Sequence, residues 1–296
     1  MTMIFILSQL LSLAFFALLI AFNINSNGHV PAIDVIGRSF GRALDDTLIS
    51  KLLDSISRRR KAADDGQKDT IRVSCVGDSI TFHGCASNES MTYPSQLQRL
   101  LGPGYVVENF GDSGKTMLKE GLCGNGGEPI PQCSGDCSYW HQDTFANALH
   151  SSPDIVTIML GTNDAKYCNF YSTERNGKPK GVGVGYREAY LDMINMFRDL
   201  PTRPKIYVAI PPPLTHPPGH ADKPPPFNMS SEVINGVYPI LVRDIATDAK
   251  VDGIIDIWSA LGGIDMDPNL TCDGCHPMDE SFGIIAKTFA EAIGGR

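Results

Sequence analysis

Positive charge is scarce in this chain. Its 296 residues carry 25 Lys and Arg against 33 Asp and Glu, a formal net charge of -8. That balance excludes nucleic acid as a partner, because neutralising phosphates takes clustered Lys and Arg. The one basic cluster, Arg58-Arg59-Arg60-Lys61, lies in a segment poor in apolar residues and reads as a solvated, protease-accessible linker. No internal repeat is visible. No His-Glu-x-x-His run occurs, so the helix signature of a zinc hydrolase is missing. No Lys or Arg precedes the apolar stretch Ile4 to Phe22, and no clean small-x-small cleavage site follows it.

That stretch is interrupted only by Ser8, Gln9 and Ser12. Its length lies between the core of a signal peptide and a full membrane span. Residues 1–27 are read as a secretory signal, with an uncleaved membrane anchor through residues 4–22 as the alternative. Arg38 and Arg42 would place the following segment in the cytosol by the positive-inside rule. Eight cysteines and three sequons argue the other way, for a secreted or lumenal protein. The sequons mark Asn88, Asn228 and Asn269 as N-glycosylation candidates. Ile33, Ile36, Phe40, Leu44, Leu48, Leu52 and Ile56 recur at helical spacing, which predicts an amphipathic helix in a second segment, 28–69.

Residues 70–296 form the expected catalytic domain, about the right size for one large α/β unit. Strands are predicted at Ile71–Val76, Tyr105–Asn109, Ile155–Leu160, Ile206–Ile210 and Gly253–Ile257. Helices are predicted near Tyr93–Leu101, His141–His150, Tyr186–Leu200, Glu232–Lys250 and Asp279–Ile293. Strict alternation implies a parallel sheet with helices on both faces. Three insertions, Leu118–Tyr139, Tyr171–Gly185 and the Pro-rich Pro211–Pro226, are expected at the end of the sheet where a ligand binds. They bring aromatic residues: Tyr139, Trp140, Tyr167, Phe170 and Tyr171.

Three short motifs carry the chemistry. Gly77-Asp78-Ser79-Ile80 and Gly161-Thr162-Asn163-Asp164 each follow an apolar run, and Asp273-Gly274-Cys275-His276-Pro277 lies near the C-terminus. A serine hydroxyl needs a base to act as nucleophile. Asp273 and His276 are three residues apart, so on a turn the carboxylate orients one imidazole nitrogen while the other faces Ser79. A side-chain amide such as that of Asn163 can hold an oxyanion. Thr81 stands where the second glycine of a Gly-x-Ser-x-Gly elbow would be, so the turn at Ser79 is not that of an α/β-hydrolase.

These motifs, in this order, resemble the SGNH (GDSL-type) hydrolases over about residues 70–294. The resemblance implies a flavodoxin-like three-layer α/β/α sandwich around a central parallel sheet. It implies Ser79 as nucleophile, His276 as base and Asp273 as its orienting acid. It places the oxyanion hole at the Ser79 N–H, the Asn163 side chain and the N–H of Gly114, within Asn109-Phe110-Gly111-Asp112-Ser113-Gly114. Within the family, Tyr93-Pro94-Ser95-Gln96-Leu97, Tyr139-Trp140 and Ala209-Ile210-Pro211-Pro212-Pro213 look most like carbohydrate O-acetylesterases of the acetylxylan or sialate type. The Cys-rich insertion and the N-terminal extension depart from them.

The expected activity is hydrolysis of short-chain, mainly acetyl, esters on a carbohydrate or small molecule by a monomer without metal or cofactor. The alternatives are a lipid or general ester hydrolase, an acyltransferase with the same triad, and an inactive carbohydrate-binding protein. Asp78, Asp164, Tyr139 and Trp140 are candidate substrate contacts, and His83 and His141 lie within reach of the site mouth. Cys133 with Cys137 and Cys272 with Cys275 have spacings open to zinc, but a metal beside Asp273 would disable the triad, so disulfides among the site-end loops are favoured. Cys75, in a predicted strand, is read as a buried free thiol.

Overall fold

The five apolar runs become five parallel strands in a computed structural model, which describes residues 70–125, 132–170, 174–175, 178–179 and 184–294. The proposed signal or anchor at 1–27, the amphipathic helix and linker at 28–69, and Tyr171 lie outside the described residues. Among those described, no helix is long and apolar enough to cross a membrane.

The strands are β1 (Ile71–Gly77), β2 (Tyr105–Gly111), β3 (Ile155–Met159), β4 (Lys205–Ile210) and β5 (Gly253–Asp256), in the spatial order β2-β1-β3-β4-β5. All neighbours are parallel. Every residue of β3 is buried, as expected of a parallel strand covered on both faces, where alternation gives way to a continuous apolar run. Order reverses beside β1. The crevice beyond the carboxyl ends of β1 and β3 is therefore where an open sheet of this kind takes a ligand.

Among the helices that flank or follow the strands are α1 (Ser79–Phe82), α2 (Tyr93–Leu101), α3 (Asp143–His150), α4 (Val184–Arg198), α5 (Tyr238–Ala249) and α6 (Asp279–Gly294). Side chains of alternate parity leave each strand on opposite faces, and this splits the core in two. Val73, Cys75, Met159 and Ala209 meet Leu97 of α2 and Phe282, Ile285 and Phe289 of α6. Val76, Val156, Ile158 and Val208 meet Phe145 of α3, Tyr190 and Phe197 of α4, and Val242 of α5. Tyr93 packs tilted against Phe289 with ring centroids 4.8 Å apart. A large apolar side chain so buried contributes roughly 1.5–3 kcal/mol.

The helix read from Glu232 is not uniform. A π-helical turn at Val233–Val237 precedes α5, whose second residue is Pro239. Proline brings no N–H to the Asn235 carbonyl and crowds it, so the ladder widens for one turn. The first insertion folds as an antiparallel hairpin, Leu122–Asn125 with Gln132–Asp136, which its Gly- and Cys-rich composition concealed.

Disulfides join Cys85 to Cys272, Cys123 to Cys137 and Cys133 to Cys168. The last two pin the hairpin to itself and to the turn after β3. Neither pair that is close in sequence, Cys133 with Cys137 or Cys272 with Cys275, is bonded internally. Cys75 and Cys275 are free and buried. Burial pushes the Cys75 thiol up to about 12, so it is inert at neutral pH. Denatured, unreduced protein should therefore titrate two thiols with an aromatic disulfide reagent and eight after reduction; eight before reduction would refute the pairing.

Candidate active site

β1 ends at Gly77, and Asp78 caps the short α1 by accepting the Ile80 N–H at 3.0 Å through Oδ1. Ser79 is the first residue of α1, partly exposed at the head of the sheet. The helix turns back so tightly that a Cβ on Gly77 would lie 1.9 Å from Thr81 Oγ1.

Asp273 and His276 do not directly follow a strand. They sit on the loop leading into α6, which the Asp273 carboxylate shapes. Its Oδ1 accepts the backbone N–H of Cys275 at 2.9 Å and of His276 at 2.8 Å. Such a side-chain turn is what a short carboxylate is suited to make. Its Oδ2 lies 2.7 Å from His276 Nδ1, and His276 Nε2 lies 2.9 Å from Ser79 Oγ. An ionised carboxylate only accepts, so Nδ1 carries the ring proton and Nε2 presents its lone pair to the serine. Burial pushes the Asp273 carboxyl up, but hydrogen bonds from the His276 ring and from the His276 and Cys275 amides outweigh it and hold the group below its usual range. The carboxylate thus stays ionised through the pH range in which an imidazole works.

The loop is held from two sides. Cys85–Cys272 links it to the segment after α1, and the Thr215 N–H donates to the Gly274 carbonyl at 2.9 Å. Gly274 is at φ +94, and a Cβ there would meet the Thr215 oxygen at 2.6 Å. The Pro-rich strap after β4 can approach only because this residue is glycine.

Asn163, 3% exposed, donates from Nδ2 to the Lys115 carbonyl at 3.1 Å. An amide nitrogen carries two hydrogens, so one remains for a substrate oxygen. Gly114 is at φ +80 with open space where a side chain would be. Neither Ser79 nor Gly114 gives its N–H to another backbone carbonyl among the described loop contacts. Ser79, Gly114 and Asn163 thus all lie on segments that follow the carboxyl ends of β1, β2 and β3.

The four candidate substrate contacts have other occupations. Both oxygens of Asp164 are taken by backbone amides, Met117 at 2.9 Å and Leu118 at 2.8 Å. Burial pushes its carboxyl up to about 7 despite those bonds. Asp78 is 1% exposed; burial raises it to about 6, opposed by the Ile80 N–H and the nearby His276. Its Oδ2 has no well-formed hydrogen bond. Tyr139 is fully buried and gives its hydroxyl to the Phe110 carbonyl. Trp140 donates its indole N–H to Met117 O at 2.8 Å, with the Lys119 ammonium over its ring. Backbone groups thus take up both Asp164 oxygens, the Tyr139 hydroxyl, the Trp140 indole N–H and Asp78 Oδ1, and leave Asp78 Oδ2. His141 pairs with Asp136 on the surface, and His83 gives its backbone N–H to Ser79 O.

Cys85, Asp273 and His276 lie close enough together to suggest a metal site. The Cys85 sulfur is bonded to Cys272 and both His276 nitrogens are engaged, so these residues do not make a donor set. All three sequon asparagines, Asn88, Asn228 and Asn269, are exposed. Two residues at the site escaped the sequence: Phe227, whose ring meets His276, and Lys166, whose ammonium lies over that ring. Lys166 directly follows the Asn163 turn, which was the one signal for it; Phe227 had none.

Residues 75–281 match the GDSL-like Lipase/Acylhydrolase family. The chain is 29% identical over 261 residues to an acetylxylan esterase of Xylanibacter ruminicola, covering 82% of this chain and 47% of that protein. It thus spans about half the length of this curated relative. Its fold is shared with a carbohydrate acetylesterase family member from Sinorhizobium meliloti, with TM-score 0.54, 23% identity, and coverage of 76% and 99% of the two chains. The aryl esterase of M. smegmatis matches with TM-score 0.53, 20% identity and the same coverage.

The buried carboxylates carry a pH signature. Asp78 titrates near 6 when folded and near 3.8 when exposed, so the folded state holds its proton more tightly. Its contribution to stability is full below pH 4 and lost as pH rises through 6. Asp78→Asn should gain on wild type by roughly 2.5 kcal/mol between pH 4 and pH 7.5. Urea unfolding across that range measures the difference, and a gap that does not vary with pH would refute the assignment.

Proposed function

The chain belongs to the GDSL-like lipase/acylhydrolase family, and from that membership we propose that it is a serine esterase removing short acyl groups, acetyl foremost, from a carbohydrate through an acyl-enzyme on Ser79. The hydrogen-bonded line Ser79–His276–Asp273 carries this reading. Ser79 Oγ attacks the ester carbonyl while His276 Nε2 takes its proton. The developing oxyanion is held by the N–H groups of Ser79 and Gly114 and by the second hydrogen of Asn163 Nδ2. One such donor is worth about 3–4 kcal/mol in the transition state. His276 then returns the proton to the leaving alcohol oxygen, and in the second half it activates the water that frees Ser79. Asp273 fixes the imidazole tautomer and stabilises the imidazolium.

The acetylxylan esterase relative supports an acetylated glycan as substrate. So does the loop chemistry: the site-end insertions hold glycine, proline and charge and lack the sustained apolar stripe that a long acyl chain would require. The three disulfides and exposed sequons support a secretory destination.

Ser79→Ala should fold normally and lose activity by about a thousandfold or more, and a fluorophosphonate should label Ser79 in the parent protein. Full activity in the variant, or loss of activity on adding a chelator, would refute the mechanism. Acetate release from acetylated xylan, pectin and sialic acid, run beside aryl esters of increasing chain length, tests the substrate. Release from a glycan is expected. Preference for octanoyl or longer esters with no glycan deacetylation would replace this reading with a lipid one, and acyl transfer to added alcohols exceeding hydrolysis would make the protein a transferase.

A further inference from the structure

The Phe227 ring stands against the His276 imidazole, with centroids 5.5 Å apart and planes 73° apart. It is 47% exposed. Its backbone is left-handed, at φ 59 and ψ 23, and Asn228 follows at φ 52. Bulky L residues avoid this region, because Cβ crowds the carbonyl. Both neighbours hold it there. Pro224-Pro225-Pro226 stiffens the approach, and Met229 is buried beyond, returning its N–H to Pro226 O at 3.2 Å. Met229 also bridges to Lys166.

Lys166 supports the ring itself. Its Nζ lies 6.0 Å from the Phe227 centroid, within reach of a cation–π attraction. Its Cδ packs beside Gly124, 3.8 Å from where a Cβ there would lie. The ring is thus carried on a strained backbone, approached by an ammonium and an imidazole, and left half in water. Core packing does not require an exposed phenyl there. Strain kept beside reacting groups points to use.

We propose that Phe227 determines leaving-group specificity, forming a platform for the flat apolar face of a ring-shaped alcohol, a pyranose above all; Lys166 positions it. This rests on the esterase reading above. His276 Nε2 hands its proton to the leaving oxygen, so the alcohol must start at the imidazole, where the Phe227 ring borders its path. Sugar C–H faces suit an aromatic surface, while the hydroxyls stay free to hydrogen-bond. The acyl group, on the Ser79 side, is untouched by this contact.

The test compares kcat/KM, which reports acylation, for an acetylated methyl xyloside and for ethyl acetate. In Phe227→Ala the ratio of the two should fall about tenfold, the size of one aromatic contact, and Phe227→Tyr should restore it. The pH profile of kcat/KM should keep its midpoint, and deacylation of the common acetyl-enzyme should keep its rate. An unchanged ratio, an equal loss on both esters, or a moved pH midpoint would overturn the proposal, the last by showing that the ring acts through His276. If wild-type protein hydrolyses neither ester, the parent esterase reading fails instead, so the two failures are told apart.

Discussion

Asp273 accepts three N–H groups at once: two from its own turn and one from the ring that it orients. The same carboxylate therefore makes the turn and aims the base, and neither can vary without the other. A neutral isostere such as asparagine has one acceptor oxygen, not two, so it could keep the turn or the ring but not both. The Pro-rich strap docks on that turn through the Gly274 carbonyl, and the strap carries Phe227 and Met229 to the crevice. The wall of the site beside His276 is an outgrowth of one ionised side chain.

The loop after β2 is held by one buried acid and one buried amide. Asp164 ties down the amides of Met117 and Leu118, and Asn163 grips the Lys115 carbonyl two residues before them. Together they fix the loop that presents Gly114. Burying such carboxylates costs stability at neutral pH, which the two apolar layers either side of the sheet offset. In the proposed mechanism this arrangement trades stability for a preformed oxyanion pocket, so little reorganisation would remain when charge develops in it.

Most of the scaffold was legible because its signals are local. Apolar runs of five or six residues alternated with helical periodicity, and the strands and helices fall within a few residues of the positions expected. Ser79, Asn163, Asp273 and His276 were legible as short motifs at element ends. What escaped depends on contacts distant in sequence. Tyr139 and Trp140 looked available because their composition suits a binding face; only the folded chain shows Tyr139 closed under α3 and the Trp140 indole spent on Met117. Cysteine pairing followed space, not spacing, so Cys133 bonds to Cys168 and Cys275 stays single. Phe227 was invisible because a left-handed phenylalanine after a proline run has no sequence pattern to announce it.

The Cys85–Cys272 bridge spans 187 residues, nearly the whole catalytic unit, and closes beside the triad. In covalent terms the molecule is a ring whose clasp sits at its active site. A protease that nicks the strap, the hairpin or any other loop inside that ring opens it without releasing a piece. Ser79 and His276 would stay joined through the clasp even when the peptide between them is cut. Clipped protein would then run as a single species on a non-reducing gel and fall into fragments only after thiol treatment.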